Sequence, residues 1–124
     1  MVSKDDLDKE IKSLEDKLGN GAVVTVVQVS GLHLGGKIPA GVHDLTYTSM
    51  IAGLSSFGES ISEELRLGRE TNDTTVNLKD TSKLYVCRAG PQALLGIYFP
   101  NKSTDPSRYE ADIKQTAKNL AMLI

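Results

Sequence analysis

Two segments of the chain are apolar at nearly every position, and they limit the possible folds more than any other feature. Ala22–Val29 reads AVVTVVQV, and Gln92–Phe99 reads QALLGIYF. Side chains of a strand alternate between the two faces of its sheet, so a strand that is apolar at both sets of positions must be covered on both faces. We therefore predict a sheet with these two strands at its centre and helices on both of its faces.

The two ends of the chain show the periodicity of amphipathic helices. The first predicted helix runs from Ser3 to Leu18 and ends at a Gly-Asn-Gly turn. The last begins at Asp105 and Pro106, a capping residue followed by proline at the favoured first helical position. Their predicted core-facing positions are Leu7, Ile11, Leu14 and Leu18 in the first helix, and Tyr109, Ile113, Ala117, Leu120 and Ile124 in the last.

A longer helix is predicted in the middle of the chain, from Leu45 to about Leu67, with Asp44 as its N-cap. Its apolar stripe consists of Tyr47, Ile51, Leu54, Ile61 and Leu65, and is widened by Met50 and Phe57. Its opposite side carries the small residues Ala52, Gly53, Ser56 and Ser60. Glycine is costly inside a helix, so we expect another element, most simply a second helix, to approach the backbone on this small-residue side.

Three further segments are predicted to be strands. Leu32–Ile38 is weakly apolar and contains Gly35-Gly36, which indicates a bulge or an edge position. Arg69–Leu78 is threonine-rich and polar on both faces, which favours an edge strand, whereas Lys83–Ala89 is mostly apolar. Short turns make the last three strands an antiparallel meander. The predicted order is α-β-β-α-β-β-β-α, an α+β fold with a five-stranded antiparallel sheet, expected to form one domain over residues 1–124.

The charge pattern and the cysteine content exclude several classes of protein. The net charge is −2 and no window is strongly basic, which argues against binding to nucleic acid. No apolar run approaches the roughly 18 to 20 residues of a membrane span, so direct membrane insertion is not expected. The N-terminus, MVSKDDLDKE, is charged, unlike a secretion signal. A single cysteine, Cys87, cannot form an internal disulfide, and a cytoplasmic location is the natural expectation.

No set of residues forms a recognisable catalytic or cofactor site. Residues 31–37 read GLHLGGK, but they lack the spacing of a phosphate-binding loop and fit a hairpin with a bulge. His33 and His43 have no companion ligands, and we expect both in surface loops. Cys87 lies within a predicted strand, where a free cysteine is commonly a small buried hydrophobe. We expect no enzymatic activity, no cofactor and no metal.

The order of elements resembles that of the roadblock/LC7 domain family. The features that carry the resemblance are the strand AVVTVVQV, the tight turn at Ser30-Gly31, the long small-residue-rich helix from Asp44, and the meander ending in LLGIYF. A terminal helix completes the pattern, which covers essentially the whole chain. The resemblance implies a roadblock/profilin-like arrangement, with the middle helix on one face of the sheet and the terminal helices on the other.

Roadblock domains typically dimerise by pairing their third strands and their long helices, so the resemblance implies a homodimer or a heterodimer with a roadblock paralogue. It also implies a non-catalytic role in regulating or scaffolding a small Ras-like GTPase. The predicted interface residues are Ala52, Gly53, Ser56, Ser60, Thr71, Asp73, Thr75 and Asn77. The charged residues predicted to border the partner surface are Glu59, Glu63, Glu64 and Arg66.

An alternative interpretation is a profilin/PAS-like or longin-like domain that senses a small molecule or assembles a complex. Such a sensor needs a cavity between the middle helix and the sheet. The residues expected to line it are Gly53, Gly58 and Gly96, because small side chains leave space. A ligand that co-purifies with the protein, or a large thermal shift with a panel of metabolites, would favour this alternative.

Overall fold

The computed structural model describes residues 4–100 and 104–124 and has the predicted order of elements. Ser3, the predicted start of the first helix, lies outside these residues. A short 3-10 turn, Pro106–Tyr109, precedes the last helix. The helices are α1 (Lys4–Leu18), α2 (Asp44–Glu64) and α3 (Glu110–Leu123), and the strands are β1 (Val23–Gln28), β2 (His33–Gly36), β3 (Thr74–Asn77), β4 (Lys83–Arg88) and β5 (Ala93–Phe99).

The strands form one five-stranded antiparallel sheet in the order β2-β1-β5-β4-β3. Of the two segments that are apolar on both faces, β5 is the central strand and β1 lies beside it, as predicted. The predicted α+β class and the antiparallel sheet are therefore confirmed. The edge strands are β2 and β3, of which β3 also follows the prediction from its polar sequence.

One face of the sheet is covered by α1 and α3. All four predicted positions of α1 are buried, and so are Ile113, Ala117 and Leu120 of α3. Tyr109 and Ile124 are partly buried and pack against the same core. These helices contact the side chains of β1, β4 and β5 that point to this face. The periodicity of the terminal helices therefore predicted their orientation correctly.

The other face is covered by α2, whose orientation differs from the prediction. Ile51 packs against Val27, Val86 and Leu94, as expected of the apolar stripe. The remaining buried positions of α2, however, are polar: Thr48, Ser55 and Glu59. Tyr47 and Leu54 of the predicted stripe are partly buried against the same cluster, whereas Met50, Phe57, Ile61 and Leu65 are exposed. Despite this apolar content, no helix in the described part of the chain has both the length and the hydropathy needed to cross a membrane.

Two boundaries of secondary structure also differ from the prediction. Strand β3 has four residues, whereas ten were predicted from 69 to 78. The chain turns sharply after α2, with positive φ at Arg66 and Gly68, and it reaches the sheet only at Thr74. The N-cap of α2 is His43, whose Nδ1 accepts a hydrogen bond from the Thr46 amide at 3.4 Å, so Asp44 is the first helical residue rather than the cap. His33, predicted in a loop, lies on β2 and is exposed.

The hairpin of β1 and β2 contains the predicted bulge: Val26 pairs with Gly35 and Val27 with His33, so Leu34 is the extra residue on β2. Gly36 adopts a φ of +80°, and a Cβ at this position would collide with the carbonyl oxygen of Val24. Only glycine fits this conformation and this close approach. Residues 31–37 therefore form part of a bulged hairpin and not a phosphate-binding loop.

Cys87 is buried on β4, and its burial predicts a loss of stability at alkaline pH. Burial raises the pKa of the thiol from 9.0 to about 11. Above pH 9 the unfolded chain releases a proton that the folded chain retains, so the free energy of unfolding should fall between pH 9 and 11, by about 2–3 kcal/mol from this group. Denaturant titrations across this range should show a steeper decline in the wild type than in Cys87→Ala. If the free energy of unfolding declines equally with pH in both proteins, the Cys87 thiol is not the cause of the decline.

Candidate interaction surface

The outer edge of β3 offers unpaired backbone groups. Among the described residues, β3 pairs only with β4. The Leu78 amide donates a hydrogen bond to the Ser82 carbonyl at 2.9 Å, and these residues face each other in the register of the hairpin. Bonding alternates along an antiparallel pair, so the N–H and C=O groups of Thr75 and Asn77 point away from β4. This edge can therefore accept another strand.

A row of apolar side chains follows the outer side of α2. We call Met50, Leu54, Phe57, Ile61 and Leu65 the α2 row; they recur at spacings of three and four residues and share one side of the helix. Phe57 is 73% exposed and Met50 is 66% exposed, while Leu54 is half-buried. An apolar patch that is contiguous along several helical turns is typical of a surface that binds another protein.

The α2 row lies on the side of the helix that faces β3. A Cβ built on Gly58 would lie 3.0 Å from Oγ1 of Thr74, so the Gly58 side of α2 approaches the edge strand. Leu54 precedes Gly58 by four residues and Ile61 follows it by three, which places both beside Gly58 on the helix surface. The row and the open edge of β3 therefore form one continuous surface.

A buried ion pair holds α2 against the sheet behind this surface. Glu59 is only 8% exposed, and its carboxylate accepts hydrogen bonds from Nη2 of Arg88 at 2.8 and 2.9 Å and from Nε at 3.2 Å. Nη1 of Arg88 donates to the carbonyl of Pro91 at 3.1 Å. Such a forked, charge-assisted arrangement fixes the position of both side chains. The pair connects α2 with β4.

Solved structures with the same backbone arrangement come from three bacteria. The gliding protein MglB from Thermus thermophilus superposes with a TM-score of 0.82 at 17% identity, covering 97% of this chain and 89% of that chain. Myxococcus xanthus MglB gives 0.82 at 14%, covering 97% and 88%. A roadblock/LC7 domain from Streptomyces avermitilis gives 0.78 at 19%, covering 91% and 92%.

The chain has the roadblock/LC7 fold. This confirms the fold that the sequence pattern predicted. The sequence matches no protein-family model and no curated protein. The likeness to these structures therefore lies in the backbone, since fewer than one residue in five is identical.

The roadblock/LC7 fold places most of the predicted interface residues at the surface. Gly53, Ser56 and Ser60 are exposed on α2, but they lie farther from β3 than the α2 row does. Along the edge strand and the segment before it, Asp73, Thr75 and Asn77 are exposed, whereas Ala52 and Thr71 are partly buried. The apolar members of the α2 row were assigned to the core by sequence reasoning and were missed as interface candidates. Their helical spacing can be read from the sequence, but the direction in which their side chains point cannot.

Glu59 is buried, unlike the exposed position expected of a rim residue, and this corrects the predicted set. Its carboxylate is buried and bound by Arg88. Glu63 is exposed and pairs with Arg69 at 2.6 Å. Glu64 and Arg66 are exposed. Glu63, Glu64 and Arg66 remain predicted rim residues, near the C-terminal end of α2.

The three glycines proposed to line a sensor cavity do not face a common space in this roadblock/LC7 fold. A Cβ on Gly96 would lie 2.8 Å from Cδ1 of Ile51, so the side chain of Ile51 fills the space above that strand. Gly53 is exposed, with no atom within 4 Å of such a Cβ. Gly58 approaches Thr74. Among the described residues, these glycines therefore do not form the cavity that the sensor alternative needs.

Proposed function

We propose that this chain is a non-catalytic, dimeric module that binds a small Ras-like GTPase and regulates or scaffolds it. The observation that carries the proposal is the continuous surface formed by the α2 row and the open edge of β3. An isolated subunit would leave both the apolar side chains and the backbone groups of this surface in water. A second copy, or a roadblock paralogue, would cover both at once.

Two properties of the surface favour a protein partner of this type. An edge strand with free N–H and C=O groups accepts a partner strand whatever its side chains, which suits the polar sequence of β3. The α2 row supplies the apolar contacts that β3 lacks. An MglB with a tetrameric arrangement has also been solved, at 18% identity and a TM-score of 0.78. Self-association is thus a property of at least one protein with this fold.

The GTPase part of the proposal comes from the resemblance to roadblock domains, in which the paired long helices form the usual docking surface. In this chain the exposed charges near the end of α2 are candidates for the border of that docking surface: Glu63, Glu64 and Arg66. The proposal includes no cofactor. We place it in the cytoplasm, where Ras-like GTPases act, with no nucleic acid among its partners.

The proposal is tested in two steps. Size-exclusion chromatography with light scattering at tens of micromolar should give the mass of a dimer. A pull-down with a panel of Ras-like GTPases, each loaded with GDP or with a GTP analogue, should then recover at least one of them with a preference for one nucleotide. A strict monomer at this concentration would refute the dimer, and a dimer that captures no GTPase would refute the docking role.

Replacing Gly53 with leucine should move two quantities in opposite directions. The position is open in the isolated subunit, and leucine is a better helix former than glycine by up to about 1 kcal/mol, so the stability of the monomer should rise slightly. If α2 approaches a second α2 closely at this point, the added side chain should raise the dissociation constant of the dimer about tenfold. Sedimentation equilibrium measures the second effect, and an unchanged constant would show that the helices do not meet at Gly53.

A further inference from the structure

We infer that two copies of this chain pair antiparallel through β3 in one defined register, with Val76 opposite the partner's Val76 on the two-fold axis. This inference rests on the proposed dimer and specifies how its strands align. In this register Thr75 lies opposite the partner's Asn77, and Asp73 comes beside the turn between β3 and β4 that carries the partner's Lys79. Three independent features of β3 select it.

The first feature is the direction of the backbone groups. Two residues that face each other across an antiparallel pair either exchange hydrogen bonds or form none with each other. A residue of β3 whose N–H and C=O groups point outward must therefore face a partner residue whose groups also point outward. The outward-pointing residues of β3 are Thr75 and Asn77. Two alignments overlap most of the strand, one with Val76 on the axis and one with Thr75 on the axis. In the Val76 alignment, both Thr75 and Asn77 of each copy form hydrogen-bonded pairs within β3. In the Thr75 alignment only Thr75 does so, and the Val76 alignment therefore makes twice as many hydrogen bonds between strand residues.

The second feature is the position of the apolar side chain. Val76 is the apolar residue of β3, is half-buried, and shares with Thr74 the face of the strand that lies under α2. With Val76 on the axis, the two valines form a non-hydrogen-bonded pair, in which the Cα atoms approach to about 4.5 Å and the side chains touch. This contact continues the apolar surface of the α2 row into the sheet. The Thr75 alignment would instead place Val76 opposite a threonine.

The third feature is charge. Asp73 lies directly before β3 and Lys79 lies in the turn that follows it, and both are exposed. Within its own chain, the carboxylate of Asp73 accepts a hydrogen bond from the Tyr85 hydroxyl at 3.4 Å. In the Val76 alignment, each Asp73 reaches the end of the partner strand at the point where the partner's Lys79 follows. The two-fold axis creates this approach of opposite charges twice, and opposite charges attract at such short distances. The Thr75 alignment places Asp73 opposite an uncharged asparagine.

Cysteine cross-linking distinguishes the two alignments. In the proposed register, cysteines from Val76→Cys should lie about 4.5 Å apart between Cα atoms, within the range of a disulfide. Cysteines from Thr75→Cys should be diagonal neighbours at about 7–8 Å, too far to bridge without movement. Under mild oxidation V76C should form a covalent dimer on a non-reducing gel at least tenfold faster than T75C. The wild type, whose Cys87 is buried, should form none.

Light scattering of each variant in reductant separates the failure of the register from the failure of the dimer. If all variants are dimers but T75C cross-links faster, or neither cross-links, the register is wrong while the proposed dimer stands. If the wild type is a monomer, both are wrong. As a second measurement, Asp73→Lys and Lys79→Asp should each weaken the dimer several-fold, and combining them should restore it. If the double variant loses as much binding free energy as the two single variants together, the charge pairing is wrong.

Discussion

Replacing Phe57 with aspartate should weaken self-association about a hundredfold and leave the folded subunit intact. Phe57 is the most exposed member of the α2 row and has no role in the core of its own subunit. Large aromatic side chains at the centre of an interface commonly contribute about 2–4 kcal/mol each, and about 1.4 kcal/mol corresponds to a factor of ten in the dissociation constant. A carboxylate at this position would also lose water on association without gaining a partner.

Met122→Asp is the matched control for this experiment. Met122 lies on α3, on the opposite face of the sheet, and is 86% exposed. The substitution again replaces a large exposed apolar side chain with a carboxylate, so it should leave the dissociation constant unchanged. Analytical ultracentrifugation measures association, and a denaturant titration measures the stability of the subunit. If Phe57→Asp destabilises the subunit but leaves association intact, the α2 row packs within its own chain and is not an interface.

Replacing Glu59 with glutamine should destabilise the subunit by about 2–3 kcal/mol, because it removes the negative charge that compensates Arg88. The side chains of Arg88 and Glu59 are 35% and 11% exposed, so the guanidinium retains some water, and the cost should fall below that of a fully buried pair. Glutamine keeps the volume of glutamate, so the measured change reports the charge and its hydrogen bonds rather than a cavity. The free energy of unfolding in urea is the quantity to compare.

Glu63→Gln provides the comparison for an exposed pair on the same helix. Glu63 lies four residues further along α2 and bonds Arg69 at 2.6 Å, but both side chains are more than half exposed. Exposed pairs contribute about 0–1 kcal/mol despite good geometry. The loss in Glu63→Gln should therefore be a small fraction of the loss in Glu59→Gln. Equal losses would mean that Glu59 does not act as a buried charge.

The accuracy of the sequence-based prediction depended on how each helix divides its polar and apolar residues. In α1 the apolar stripe coincides with the buried side, as it does in α3, so periodicity alone oriented both helices. In α2 the buried side combines Ile51 with the polar residues Thr48, Ser55 and Glu59, and four members of the apolar stripe are exposed. Periodicity finds the most apolar side of a helix, and in a helix that binds a partner that side need not face its own sheet.

The role of Glu59 could not be predicted because its partner is distant in sequence. Arg88 lies 29 residues away on β4, and nothing local in either segment indicates that they meet. The length of β3 was overestimated for a related reason. The path of the chain from the end of α2 brings it to the sheet only at Thr74 and decides where pairing with β4 begins. Tertiary geometry determines both features, and local sequence does not encode it.

The two margins of the sheet are unequal, and this limits the size of any assembly built by strand addition. At the β2 margin, a bulge and the left-handed backbone of Gly36 distort the strand, so a further strand would find a poor template there. The β3 margin is regular. A chain in which only one edge strand can pair joins one neighbour through a two-fold contact and then has no edge left for a third copy. Growth by strand addition therefore stops at a dimer instead of continuing into a fibre.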